Sequence, residues 1–334
     1  MTDRRRDSFT DPTPWLLEPD TDNPAVRYFA LNQLLDLPED DSDVVEARRN
    51  IMTSGPVPAI LDAQDPEGYW AKPGTGYSPK YQGTVWQIIF LSELGADPAD
   101  ERVQRGVEYL LSHAIADSGA FAASQPPRPS SAVHCLNGNL LHALIRLGYT
   151  ADPRVQAALE WQARAVTGDG EITYYKSGTS GAGFVCSINQ GQPCGWGATK
   201  ALRALASVPP ELRTPVIERA LATGAKFLFS HDPANADYPF TDHVSNTWFR
   251  FGFPLSYWSD VLETTEALID LGYGRDVRLA HALLLILDKQ DSQGRWKLEQ
   301  SLNGKMWADI EAKGKPSKWV TLRAMRVLLR SDYF

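Results

Sequence analysis

Apolar residues recur at three- and four-residue spacing through most of the chain, and the helical runs they predict come in pairs. The first run of a pair, as at 133–148 and 194–208, is apolar around most of its circumference, which predicts a helix buried on most sides. The second, as at 100–115 and 153–166, carries one apolar stripe and a charged back, which predicts a helix with one solvated face. First-type helices are expected over 25–37, 80–95, 133–148, 194–208, 253–272 and 316–330, and second-type helices over 43–64, 100–115, 153–166, 213–231 and 276–290. Between them the punctuation repeats. First-type helices close on Leu94-Gly95, Leu147-Gly148 and Leu271-Gly272, where glycine suits a left-handed closing residue. The glycines are 148 − 95 = 53 and 272 − 148 = 124 residues apart, one period and about two. Acidic starts follow at Glu101, Asp152 and Asp276, while Pro209-Pro210 replaces the Leu-Gly turn once. The second helices lead into Gly68-Tyr69-Trp70, Gly119-Ala120-Phe121, Gly170-Glu171-Ile172 and Gly294-Arg295-Trp296.

Helical hairpins of this kind bury their apolar faces only against one another, so they stack in a solenoid or close in a ring. Six first-type helices suit closure. The expected fold is all-α, an α6/α6 toroid over residues 25–334, with residues 1–24 as an N-terminal extension and one helix set lining the centre. Only five second-type helices are visible, so the last unit is expected to be incomplete.

Composition narrows the function classes. At 43% hydrophobic and 22% charged, the 334 residues are too rich in core-formers for disorder. Lys+Arg 33 against Asp+Glu 41 gives 33 − 41 = −8, so no basic field exists to hold a nucleic acid. No apolar run approaches the roughly 18–20 residues of a membrane span, and MTDRRRDSF has no apolar segment behind its basic residues. A cytoplasmic protein without an integral membrane segment is the expectation. Three cysteines are an odd set for a disulfide framework and leave thiols or metal ligands as the choice.

Gln64-Asp65-Pro66-Glu67-Gly68-Tyr69-Trp70 and Gln290-Asp291-Ser292-Gln293-Gly294-Arg295-Trp296 both read Gln-x-x-x-Gly-x-Trp. This resembles the QW motif of the terpenoid cyclase and protein prenyltransferase superfamily. The resemblance, which with two degraded copies spans nearly the whole chain, implies an α/α toroid in which Gln caps a helix end and Trp packs over it. It implies no reaction, because the catalytic signatures of the known branches are absent. The nearest counterpart to the cyclases' Asp-x-Asp-Asp is Glu39-Asp40-Asp41-Ser42-Asp43, which reads as a solvated loop capping the next helix, and neither Asp-Asp-x-x-Asp nor Asp-x-Cys occurs. Cys194-Gly195-Trp196-Gly197 is loosely similar to the zinc-binding helix starts of lanthionine cyclases, which are also toroids.

Candidate chemistry gathers at the first-type helix starts. Cys135, after His134, opens the third, Cys194 opens the fourth, and Cys186 lies in the loop before it. In a ring these starts are neighbours at one rim, where three thiolates and His134 would suit tetrahedral zinc, with His243 or Asp260 as other fourth ligands. Buried structural thiols, or a redox or nucleophilic role, are the competing readings. Trp86, Tyr174, Trp196, Trp248, Tyr257 and Trp258, with Asn137, are candidate substrate contacts, and the alternative is that such aromatics build satellite cores holding the loops. Asp260 and Glu263, three apart on one helical face, are the candidate general acids, or else first-turn carboxylates favoured by the helix dipole. The leading expectation is a zinc-containing, cyclase- or prenyltransferase-like enzyme acting on a small apolar molecule, with isoprenoids among the candidates, in the central cavity. The alternatives are a non-catalytic toroid that binds a ligand or peptide, and a metal-free cyclase or isomerase with an Asp or Glu acid.

Overall fold

The structure is a computed structural model that describes residues 9–169, 182–186, 189–235, 237–238 and 245–331. Six helices form an inner ring: α2 (Pro24–Gln33), α5 (Thr84–Glu93), α7 (His134–Arg146), α9 (Gly195–Ala206), α11 (Val261–Leu268) and α13 (Lys318–Leu329). Among these, α7 packs on α5 and α9, α11 packs on α9 and α13, α13 returns to α2, and Phe29 of α2 lies against Gly95 at the end of α5, which closes the circle. The outer layer comprises α3 (Ser42–Ile51) with α4 (Pro56–Asp62), α6 (Glu101–His113), α8 (Pro153–Thr167), α10 (Pro215–Leu228) and α12 (Ala280–Asp288). The protein is therefore an all-α, α6/α6 toroid. Every residue of α5 and of α11 is buried, whereas α6 buries one stripe (Val103, Val107, Leu110, Leu111) and exposes its charged back.

Local chemistry repeats with the architecture. Asp100, Asp152 and Asp276 each accept a bond from the backbone N–H two residues on, and each also holds the guanidinium of that residue, Arg102, Arg154 or Arg278. Caps of this type stabilise a helix start by about 1 kcal/mol. The two Gln-x-x-x-Gly-x-Trp segments are superimposable in their bonding. Trp70 Nε1 donates to Ile60 O (2.7 Å) and Trp296 Nε1 to Ile286 O (2.6 Å). The backbone N–H of each Trp donates to an inner-helix threonine, Thr84 or Thr321. Gln64 Nε2 donates across to Arg102 O at the next outer helix (2.8 Å), and Gln290 Nε2 to Thr10 O (2.8 Å). Residues near Thr10 thus stand to Gln290 as α6 stands to Gln64. The short helix α1 (Thr13–Leu17), in the segment expected as an extension, packs on α2 and α13 and occupies the sixth outer position.

Two expected helices differ. The run at 43–64 is broken into α3 and α4 because Gly55 is left-handed (φ 71°) and Pro56 restarts the helix at its first turn. The run at 253–272 becomes helical only at Val261, where Asp260 caps it, and ends in a π turn over Ile269–Tyr273 that contains left-handed Gly272 (φ 88°). Two short hairpins complete the described chain: β1 (Val185–Cys186) with β2 (Gln192–Pro193), and β3 (Trp296–Lys297) with β4 (Pro316–Ser317).

Candidate functional site

Because each inner helix is followed by an outer helix running back, all inner helices point the same way and their N-termini share one rim. A network of buried ion pairs runs across the ring, from Asp260 at the N-cap of α11 to Glu93 at the end of α5. Lys200 Nζ sits 2.6 and 2.7 Å from the two Glu263 carboxylate oxygens. Arg203 bridges Glu93 (2.9 Å) and Glu263 (3.3 Å), Arg323 reaches Asp260 (3.4 Å), and Arg326 reaches Glu266 (3.0 Å). Burial opposes ionisation of Glu93, but Arg203 and Arg146 hold its carboxyl well below the usual carboxylate range. Burial pulls the Lys200 ammonium below its ordinary value in spite of Glu263. Asp260 and Glu263, the sequence candidates for a general acid, stand inside this network. Asp260 caps α11 by accepting from Glu263 N (2.7 Å), and Glu263 is fully buried against Lys200. Among the described residues, α5, α9, α11 and α13 thus meet through buried, paired charges.

The N-terminal rim is different. Tyr77, Trp86, Tyr81, Trp258, Tyr257 and Trp196 form one continuous aromatic chain with successive centroid separations of 5.4, 4.9, 6.2, 5.0 and 6.2 Å. It joins the start of α5, the segment before α11 and the first turn of α9. Trp86 is held by its indole N–H on Tyr77 O (2.8 Å), and the Lys80 ammonium lies 3.7 Å from the centroid of Tyr257. Burial, with Cys135 and Tyr257 alongside, pushes the Tyr77 phenol up to about 12, and burial with Tyr257 raises Tyr81 as well. Both phenols are therefore neutral donors at physiological pH.

The three thiols adjoin this aromatic chain. Cys194 is the N-cap of α9 and Cys135 lies in the first turn of α7. The hydrogen bond to Cys186 and burial hold the Cys194 thiol well above its ordinary value, and burial with Cys186 nearby pushes Cys135 up to about 11. His134 Nδ1 accepts from Gln162 Nε2 (2.8 Å), and its ring packs on Phe184. Among the described residues no group of three or more His, Cys, Asp or Glu side chains is arranged to hold a metal ion.

Two other sequence candidates have structural duties. Asn137 is fully buried, its amide accepting from Phe121 N (2.8 Å) and donating to Phe121 O (2.9 Å), so it fastens a Gly-x-aromatic turn as Thr84 and Thr321 do elsewhere. Trp248 donates to Pro233 O (2.8 Å) and packs at a tilt on Tyr238 in a part of the main core that continues through Phe227 and Phe184. Tyr174, His243 and the turn at 170–172 lie outside the described residues.

One residue that periodicity did not flag also faces the N-terminal rim. Glu311 has a left-handed backbone (φ 46°) and its carboxyl accepts from the Ser317 hydroxyl and from Lys318 N (2.6 Å) at the start of α13. Burial pushes this carboxyl up to about 7 despite those donors. It lines a cavity of about 550 Å³ together with Asp22, Asn23, Pro56, Asn303 and Asp309. The loop that carries it reaches the start of α5, where Trp307 Nε1 donates to Gln82 O (2.9 Å), one residue from Tyr81.

No family model matches the chain, and no curated protein matches it in sequence. Among solved structures it is similar to an unsaturated glucuronyl hydrolase specific for heparin, at 11% identity and a TM-score of 0.48, covering 92% of this chain and 84% of that one. It is also similar to a type II terpene cyclase from Scytonema in complex with geranylgeranyl dihydroxybenzoate, at 13% identity and a TM-score of 0.34, covering 86% and 97%. A protein from Actinoplanes matches at 15% identity and a TM-score of 0.31, covering 86% and 99%. All three scores lie below 0.5, so neither the fold nor the chemistry of this chain rests on them.

Proposed function

We propose that this toroid is a metal-free, acid–base enzyme of the cyclase or isomerase type, acting on a small, largely apolar, isoprenoid-like substrate at its N-terminal rim. The observation that carries the reading is the aromatic chain from Tyr77 to Trp196, tilted and edge-to-face throughout, in which Tyr77, Trp196, Tyr257 and Trp258 are partly exposed beside neutral phenols. Ring faces stabilise positive charge that develops on a hydrocarbon, and neutral donors orient a polar end without attracting an anion. The central ion pairs leave the rim as the place for such a ligand. Asp260 and Glu263 are held by Arg323 and Lys200, so the proton-transferring group in this reading is Glu311. Its ionisation near neutrality suits an acid that gives up and regains a proton at working pH.

The test is tryptophan fluorescence of the full chain titrated with farnesol, geranylgeraniol and squalene. Saturable quenching by at least one of them is expected, weakened about tenfold by Trp258→Ala through loss of one partly exposed ring. Glu311→Gln is expected to keep that binding and lose product formation. Absence of saturable quenching with all three, or equal binding by the Trp258 variant, overturns the proposal.

A further inference from the structure

Two of the three thiols belong to one short hairpin. β1 and β2 pair antiparallel with Val185 opposite Pro193 and Cys186 opposite Gln192, and Cys194 N donates to Phe184 O (2.9 Å). In that register Cys186 and Cys194 are diagonal neighbours on the same face of the hairpin, and the Cys194 thiol lies within hydrogen-bonding reach of the Cys186 sulfur. No disulfide joins the described cysteines. The two residues differ in exposure, Cys186 being half-buried and Cys194 buried. An accessible sulfur backed by a second in contact is the arrangement of an attacking and a resolving thiol.

We propose that Cys186 and Cys194 are an oxidisable dithiol, a modification site at which a small hydroperoxide converts the pair to a disulfide. The Cys186 sulfur attacks the terminal peroxide oxygen, the O–O bond breaks, and the leaving alkoxide takes up a proton, giving an alcohol and a sulfenic acid. The Cys194 sulfur then attacks the Cys186 sulfur, the S–O bond breaks, and water leaves with the Cys194 proton. In sum two thiols and ROOH give one disulfide, ROH and H2O, and a dithiol reductant reverses the change. The new bond ties β1 to the cap of α9, one residue before the helix turn that carries Trp196, so it fixes one wall of the aromatic rim.

The experiment treats the full chain with hydrogen peroxide, alkylates the remaining thiols with N-ethylmaleimide and maps the peptides by mass spectrometry. Expected are a mass loss of about 2 Da before alkylation, a cross-linked peptide joining Cys186 and Cys194, label on Cys135 alone, and full relabelling after dithiothreitol. Cys194→Ser should leave a sulfenic acid on Cys186 that dimedone traps, with circular dichroism confirming the fold, and Cys135→Ser should leave the cross-link unchanged. Three labelled thiols after peroxide, a bridge through Cys135, or a sulfinic acid without any cross-link would each overturn the proposal.

Discussion

Glu311 combines a left-handed backbone, burial and a titration point moved from the ordinary glutamate range to about 7. A carboxyl raised in the folded state contributes stability that is complete below the unfolded value near 4.5 and is lost as pH rises through 7. The difference, about 2.5 pKa units, corresponds to roughly 3 kcal/mol. Urea midpoints measured from pH 4 to pH 8 should therefore fall across that window in the native chain and run flatter in Glu311→Gln; parallel curves would refute the assignment. Nothing in Ala-Asp-Ile-Glu-Ala announces this residue, because its burial comes from the start of α13 and from a cavity wall contributed by residues almost 300 positions away. Asn137 shows the opposite limit. Its position on a first-type helix was legible, but its duty was not, since Phe121 is its partner only once the turn has folded back.

At the scale of elements, the pairing of runs, the closing glycines and the Asp-x-Arg caps could all be read from spacing, because each depends on neighbours within one or two turns. The sixth outer helix could not. α1 has five residues and no apolar period of its own, and what defines it is the bond from Gln290 to Thr10 and the contact with α2 and α13. Gln290→Ala should cost about 1 kcal/mol and raise amide exchange selectively in Thr13–Leu17, while Gln64→Ala should do the same at α6 and spare α1. Uniform exchange changes in both variants would show that the two glutamines do not act as local latches. The break at Gly55-Pro56 was present in the sequence as a turn signal that the apolar period on either side overrode.

For the whole molecule, the inner helices read as apolar because their charges are sparse along the chain, and only the ring brings Lys200 and Glu263, 63 residues apart, into contact. Breaking such a network by removing one partner leaves an uncompensated buried charge and typically costs 3–5 kcal/mol. Arg203→Met should therefore lower stability by about that amount at pH 7. It should also change the acid limb. In the native chain the depressed Glu93 contributes stability above the unfolded value near 4.5, and that stability is lost as pH falls. Without Arg203 the loss below pH 4.5 should be shallower, and an unchanged acid limb in denaturant titrations would contradict the network's role.

The latch between Thr10 and Gln290 also has a meaning in time. It spans 280 residues, and at the roughly 5–20 residues per second of protein synthesis some 14–56 s separate the emergence of its two halves. Throughout that interval the faces of α1 and α2 that will receive α13 are uncovered. Ring closure is for that reason the last event of biogenesis, and the uncovered seam is where a nascent chain of this toroid is most exposed to chaperones, to proteases and to its own neighbours.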